Sequence, residues 1–272
     1  MTDDTEMTSE EKEMLNLLNV EESIKEPKLD HPKPPEKPPK KAPAKKDGFS
    51  MWQWLVEMIG YNVGMIFGDT GSGKSKTCEQ IAYECAKEEK KVYYIDHEAN
   101  FSKKDIDTLK KAGVTYKLMT KKDDLYDLDQ QKIHGFDLVI IDSATLAITG
   151  TWAKLNMQQK GSTLQQLQGM VYRLSQYCIE KKNCIVILTA QPTSLMGDKH
   201  TIQPLGDKVH YLCKEIYYIK APRNEEGFIT KRTVISFRSR SFPDGTVIAP
   251  IETQKFGVKF DVKHMEKIMK EV

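Results

Sequence analysis

The eight residues Gly68-Asp69-Thr70-Gly71-Ser72-Gly73-Lys74-Ser75 fit the pattern GxxxxGK[ST], and they stand between an apolar run, Val63 to Phe67, and an amphipathic stretch that opens at Lys74. Few folds are open to a chain punctuated in this way. The glycines permit a tight loop whose backbone N–H groups turn inward toward an anion, and the helix that follows adds the positive end of its dipole. In such a loop the lysine reaches the β- and γ-phosphates of a nucleotide and the serine hydroxyl ligates Mg²⁺. The candidate nucleotide-binding residues are therefore Gly68, Asp69, Thr70, Gly71, Ser72, Gly73, Lys74, Ser75 and Lys76, with ATP and Mg²⁺ as the expected ligands and Ser75 as one metal ligand.

From Phe49 onward short β-branched runs alternate with longer amphipathic ones, which predicts an α/β fold with a mostly parallel central sheet flanked by helices. Strands are expected near Val63 to Phe67, Lys91 to Ile95, Tyr116 to Met119, Leu138 to Ile141 and Cys184 to Thr189. Helices are expected at Lys74 to Glu88, Ser102 to Lys111, Asp123 to Ile133 and Leu164 to Lys182. After Gln191 the alternation gives way to antiparallel strands at Glu215 to Lys220, Thr233 to Phe237, Thr246 to Pro250 and Val258 to Phe260, joined by turns such as Pro243-Asp244-Gly245.

Residues 1–48 are too polar and proline-rich to join that core, so the ATPase-like domain is expected over 49–272. Residues 1–26 carry nine acidic side chains and two lysines, whereas 27–46 carry seven prolines and seven lysines. The second half reads as an extended, solvated spacer. In the first half, Thr8 and Glu11 have capping-box spacing and Met14, Leu15, Leu17, Leu18 and Ile24 line one side of a short helix. Residues 8–24 are either a docking peptide for a protein partner or a disordered acidic leader.

Lys+Arg 41 against Asp+Glu 39 leaves a net charge of +2, so a nucleic acid or an anionic membrane would have to be met by a local patch. No apolar run approaches the ~20 residues of a membrane span, and the acidic N-terminus lacks a secretory pattern. A cytoplasmic protein is expected, nucleoid-associated if it binds DNA. The five cysteines form no CxxC pair, which argues against a zinc site and a disulfide framework.

Three further residues complete a catalytic set with Lys74. The run Leu138-Val139-Ile140-Ile141 ends in Asp142, a buried strand delivering a carboxylate to Mg²⁺; the pattern is weak alone and gains weight from its distance after the glycine loop. No Glu adjoins Asp142. Instead Tyr93-Tyr94-Ile95-Asp96-His97-Glu98 sets an acid at the carboxyl edge of the second strand, where open α/β sheets bind ligands, and Glu98 is the candidate to activate water. Gln191, at the end of Leu188-Thr189-Ala190-Gln191, has the donor and acceptor needed to sense a γ-phosphate. By residue type alone Glu98 also reads as a solvated loop carboxylate and Gln191 as an ordinary polar residue after a strand.

Together GDTGSGKS at 68–75, YIDHEANF at 94–101, LVIIDSATL at 138–146 and LTAQP at 188–192 resemble, in order and spacing, the RecA superfamily over about residues 60–260. The resemblance is strongest to archaeal and eukaryotic strand-exchange recombinases and their RadA/RadB-type paralogues. It implies a RecA-like P-loop ATPase core, slow DNA-stimulated ATP hydrolysis, Glu98 as catalytic glutamate and Gln191 as the amide that couples nucleotide state to DNA-binding loops. Those loops would be Ala147 to Ser162, with Trp152, Lys154 and Lys160, and Thr193 to Lys208, with Lys199, His200 and Lys208, facing single-stranded DNA. Arg238 or Arg240 would neutralise phosphate charge in trans within a homo-oligomer.

A charged tail replaces the family's helix-hairpin-helix domain, and Phe49-Ser50-Met51-Trp52-Gln53-Trp54 does not reproduce its Phe-containing oligomerisation motif. The expected role is that of a paralogue or mediator in recombination or repair. Two other classes remain open on sequence: a KaiC-like regulatory ATPase acting on a protein partner without DNA, and a DnaB-like helicase relative.

Overall fold

In the computed structural model, which describes residues 48–119, 125, 126, 128, 130–145, 156–181, 183–192 and 207–271, the apolar runs become strands between two helical layers. In chain order the elements are α1 (Met51–Ile59), β1 (Val63–Phe67), α2 (Lys74–Lys87), β2 (Val92–Asp96), α3 (Lys103–Lys111), β3 (Thr115–Leu118) and α4 (Gln130–Ile133). There follow β4 (Leu138–Asp142), α5 (Met157–Lys181), β5 (Ile185–Ala190), α6 (Asp207–Leu212), β6 (Glu215–Lys220), β7 (Arg232–Arg238), β8 (Val247–Thr253), β9 (Val258–Phe260) and α7 (Val262–Met269). The strands form one sheet in the order β3-β2-β4-β5-β1-β6-β7-β8-β9. Pairing is parallel from β3 to β6 and antiparallel from β6 to β9, so the antiparallel block expected after Gln191 begins one strand late: β6 itself lies parallel to β1 and only β7 turns back against it.

β1, β2, β4 and β5 are buried along their whole length, which is why they read as unbroken apolar runs. Alternate residues feed opposite layers. Ile66, Tyr94, Ile140 and Ile187 pack in the cluster with residues of α1 and α2, while Met65, Ile95, Val139, Ile141 and Leu188 pack in the cluster with Leu167, Val171 and Leu174 of α5.

Four helical details depart from the sequence reading. α1, α6 and α7 were not expected, although in α1 Met51, Trp54, Leu55, Met58 and Ile59 follow helical spacing and are all buried. Ser50 Oγ accepts from Gln53 N at 3.0 Å at the start of α1, and Asp261 Oδ1 accepts from His264 N at 3.1 Å at the start of α7. Glu88, beyond α2, also accepts from Met51 N at 2.7 Å and Trp52 N at 3.2 Å. A carboxylate on the first-turn donors of α1 satisfies orphan N–H groups and opposes the helix dipole, so it anchors the helix by charge as well as by packing.

α5 begins at Met157, nearly two turns before the expected Leu164. The reason is a reciprocal cap: Gln159 N donates to Asn156 Oδ1 at 2.9 Å and Asn156 N donates to Gln159 Oε1 at 3.0 Å. Residues 157–162 of the expected DNA loop, Lys160 included, are therefore helical, and Lys208 lies in α6. Trp152, Lys154, Lys199 and His200, like residues 8–24, lie outside the described residues. Among the described residues no helix is long and apolar enough to cross a membrane, and all five cysteines are buried and free.

Candidate nucleotide site

The site forms where β1, β2, β4 and β5 end together. Across the sheet Asp96 pairs with Asp142, Ile141 with Leu188 and Phe67 with Ala190, so the residues that follow these strands share one edge. β1 runs into the loop at Gly68, and α2 opens at Lys74.

Close approach explains one of the glycines and backbone conformation another. A Cβ at Gly68 would lie 2.7 Å from Ser72 Oγ and 3.0 Å from the Ile219 carbonyl oxygen on the neighbouring β6. Gly73, at φ 105°, holds the left-handed turn that starts α2. Within the loop, Lys74 is 7% exposed and donates to the carbonyl oxygens of Gly68 at 2.8 Å and Asp69 at 3.1 Å. Burial pulls its pKa below the ordinary lysine value, against the opposing pull of Glu98, Asp142 and Asp69.

Asp142 sits at the bottom of the site, 1% exposed. Its Oδ2 accepts from the Tyr94 hydroxyl at 2.9 Å and its Oδ1 accepts from Thr189 Oγ1, and the Ser75 side chain stands close by. Burial nevertheless raises its pKa above the usual carboxylate range, with Thr189 and Ser75 opposing and Glu98 adding to the rise. The folded protein therefore holds this proton more tightly than the unfolded chain does. The stability associated with it is present below the unfolded value and is lost as pH rises through the raised one. At neutral pH the ionised carboxylate is a cost of folding. Asp142→Asn should then raise the ligand-free melting temperature, by about 2–4 °C for each kcal/mol recovered. The gap between variant and wild type should close as pH falls; a variant that melts well below wild type at pH 7 would contradict this.

Glu98 lies two residues beyond β2, and its backbone is set by Asp96, whose Oδ1 accepts from Glu98 N at 2.9 Å and Ala99 N at 2.8 Å. Asp96 Oδ2 accepts from the Tyr116 hydroxyl at 2.7 Å. The Glu98 carboxylate accepts from Ser143 Oγ and from Asn100 Nδ2. Ser143 Oγ in turn accepts from Thr145 Oγ1 at 3.5 Å, and Thr145 Oγ1 accepts from Gln191 N at 2.9 Å. A polar chain thus joins the candidate water-activating carboxylate to the residue that opens the segment after β5.

The structure brings Lys74, Ser75, Asp142 and Glu98 to one crevice and ties Gln191 to it through its backbone. Lys76 points elsewhere: its Nζ pairs with Glu79 at 2.8 Å and Asp105 at 3.3 Å. Sequence reasoning missed Tyr94, Asp96, Ser143, Thr145 and Thr189, all buried neighbours of the candidates. Arg238 and Arg240 lie at the other end of the sheet. β7 is antiparallel to β6, so its first residues reach the loop edge while Arg238 pairs with Ile216, about 20 Å from Arg232 by the rise of a strand. Arg240 N donates to Glu215 Oε1 at 3.1 Å at that far end. The strand direction carries both away from this chain's own loop, toward the start of β6.

A parallel core in the order 3-2-4-5-1, a glycine loop after its first strand and an acid ending its fourth define a RecA-like P-loop NTPase core. No protein-family model matches the chain. In sequence it is similar to the DNA repair and recombination protein RadB of Methanococcoides burtonii, 24% identical over 205 residues, covering 68% of this chain and 83% of the relative. In structure it is similar to a RadB recombinase crystal structure, with a TM-score of 0.54 and 19% identity, covering 76% of this chain and 96% of that one. In both sequence and fold, then, the chain is similar to RadB-type proteins of the RecA superfamily.

Proposed function

We propose that the chain binds and hydrolyses Mg²⁺–ATP and uses the nucleotide state to govern binding of single-stranded DNA in recombination or repair. One observation carries the nucleotide reading: the Ser75 side chain stands beside the buried Asp142 carboxylate at the foot of the glycine loop, close enough to oppose the rise of its pKa. A hydroxyl and a carboxylate side by side are the oxygen donors that a hard divalent cation takes, so the residues present fit Mg²⁺. When bound, the metal neutralises charge on the phosphate oxygens.

The chain's own residues do the rest. The loop N–H groups hold the phosphates, Lys74 exchanges its loop carbonyls for phosphate oxygens, and Glu98 accepts a proton from the attacking water. The chain Glu98–Ser143–Thr145–Gln191 gives a route from that carboxylate to the segment after Gln191. The same reading gives Arg238 or Arg240 a role in trans on a neighbouring subunit, and residues 8–24 a protein partner. The DNA part rests on the RadB likeness.

ATP turnover measured with and without single-stranded DNA tests it, together with oligonucleotide binding across a salt series. Stimulated turnover and nucleotide-dependent, salt-sensitive binding are expected. Turnover that ignores DNA, with no oligonucleotide bound at low salt, would overturn the DNA part.

A further inference from the structure

The connection between β6 and β7 brings two arginines against the phosphate loop. β6 runs parallel to β1 and β7 returns antiparallel to it, so residues 221–231 leave and re-enter the sheet at the loop edge. The connection is closed by a bridge between Arg223 and Ile229. A side chain added at Gly71 would lie 3.6 Å from Arg223 Nη2, and one added at Gly73 would lie 3.5 Å from Arg232 Cδ and 3.6 Å from its Nε. Both guanidinium-bearing side chains therefore lie beside the loop at its two left-handed glycines.

The two differ in how they are satisfied. Arg223 is exposed, and its Nη1 donates to the Gly227 carbonyl oxygen at 2.8 Å. Arg232 Nε is buried with no hydrogen-bond partner among the described residues. No ion pair joins either arginine to a carboxylate among the described residues. The Arg232 side chain is half-buried, and a buried donor atom left unpaired on it is uncommon in a native fold and calls for an acceptor that arrives later. The position beside Gly73, where the N–H groups at the start of α2 converge, is where an anion would supply one.

We propose that Arg232, assisted by Arg223, is a second cationic contact to the phosphates of the bound nucleotide, made from within the same chain. This rests on the nucleotide reading above and deepens it. A triphosphate carries several negative charges and Lys74 answers one of them. The planar guanidinium adds directed donors that a lysine cannot reproduce. Its stem lies beside Gly73. Arg223, at the rim, contributes a screened attraction.

The test compares Mg²⁺–ADP and Mg²⁺–ATP affinities of the full chain, by calorimetric titration, for wild type, Arg232→Met, Arg232→Lys and Arg223→Met. Methionine keeps the stem's packing and removes the charge. Arg232→Met should bind about tenfold or more weakly, Arg232→Lys should fall between it and wild type, and Arg223→Met should lose about threefold, less at high salt. The ligand-free melting temperature of Arg232→Met should match wild type or exceed it, while the rise caused by Mg²⁺–ADP shrinks. Wild-type affinity in Arg232→Met would overturn the proposal, leaving the nucleotide reading intact. A wild-type chain that binds neither nucleotide would overturn both.

Discussion

Replacing Lys74 with alanine should weaken Mg²⁺–ATP binding by about 100-fold or more, the scale on which a buried, hydrogen-bonded cation contributes to holding an anion. The lysine is already committed to the loop: it is almost fully buried, and its Nζ is held by two carbonyl oxygens of residues 68 and 69. A phosphate would replace dipoles with charge, and alanine leaves the cradle without a counter-ion. Ligand-free stability should change little, because burial already disfavours the charged form of this lysine. The same depression gives binding an alkaline limb. Affinity should decline as pH rises through a value below that of an ordinary lysine, since only the protonated amine attracts phosphate. Nucleotide titrations at several pH values read both effects; undiminished affinity in the alanine variant would remove the glycine loop from the site.

Replacing Glu98 with glutamine should leave nucleotide affinity within a few-fold of wild type and slow hydrolysis by about 10²–10⁴, the range for loss of a positioned general base. Glutamine is nearly isosteric and still accepts from Ser143 Oγ through its carbonyl oxygen, so position is kept and basicity is lost. Single-turnover hydrolysis beside equilibrium binding separates the two. Wild-type turnover in the variant would transfer the water-activating role to another group. The carboxylate of Asp96 is a poor substitute, because both its oxygens are occupied by backbone amides and the Tyr116 hydroxyl.

The parts of the site that are legible in the sequence are those whose chemistry is local. The loop 68–75 announces itself because its glycines, lysine and serine must be contiguous, and Asp142 because a buried strand makes four apolar residues in a row conspicuous. The antiparallel strands after Gln191 are legible for a similar reason. α1, α7 and the early start of α5 were also written locally, in Ser50-x-x-Gln53, Asp261-x-x-His264 and Asn156-x-x-Gln159, where a cap precedes an amphipathic run. Their short polar signatures are easily passed over in favour of the longer apolar periods.

The sequence alone determined that parallel strands give way to antiparallel ones toward the C-terminus, the glycine loop and the acids at the strand ends, because each depends on neighbours a few residues apart. Only the tertiary structure decided who surrounds them. Thr189 and Tyr94 meet Asp142 from β5 and β2 across more than 40 positions of chain. Ser143 reaches Glu98 from the end of β4, and Arg232 approaches Gly73 from a strand that enters at the loop edge. Arg238 and Arg240, which composition makes equally eligible, are carried to the far end by the direction of the same strand. Strand order and direction set those encounters, and both follow from how the whole chain buries its apolar faces on two sides of one sheet.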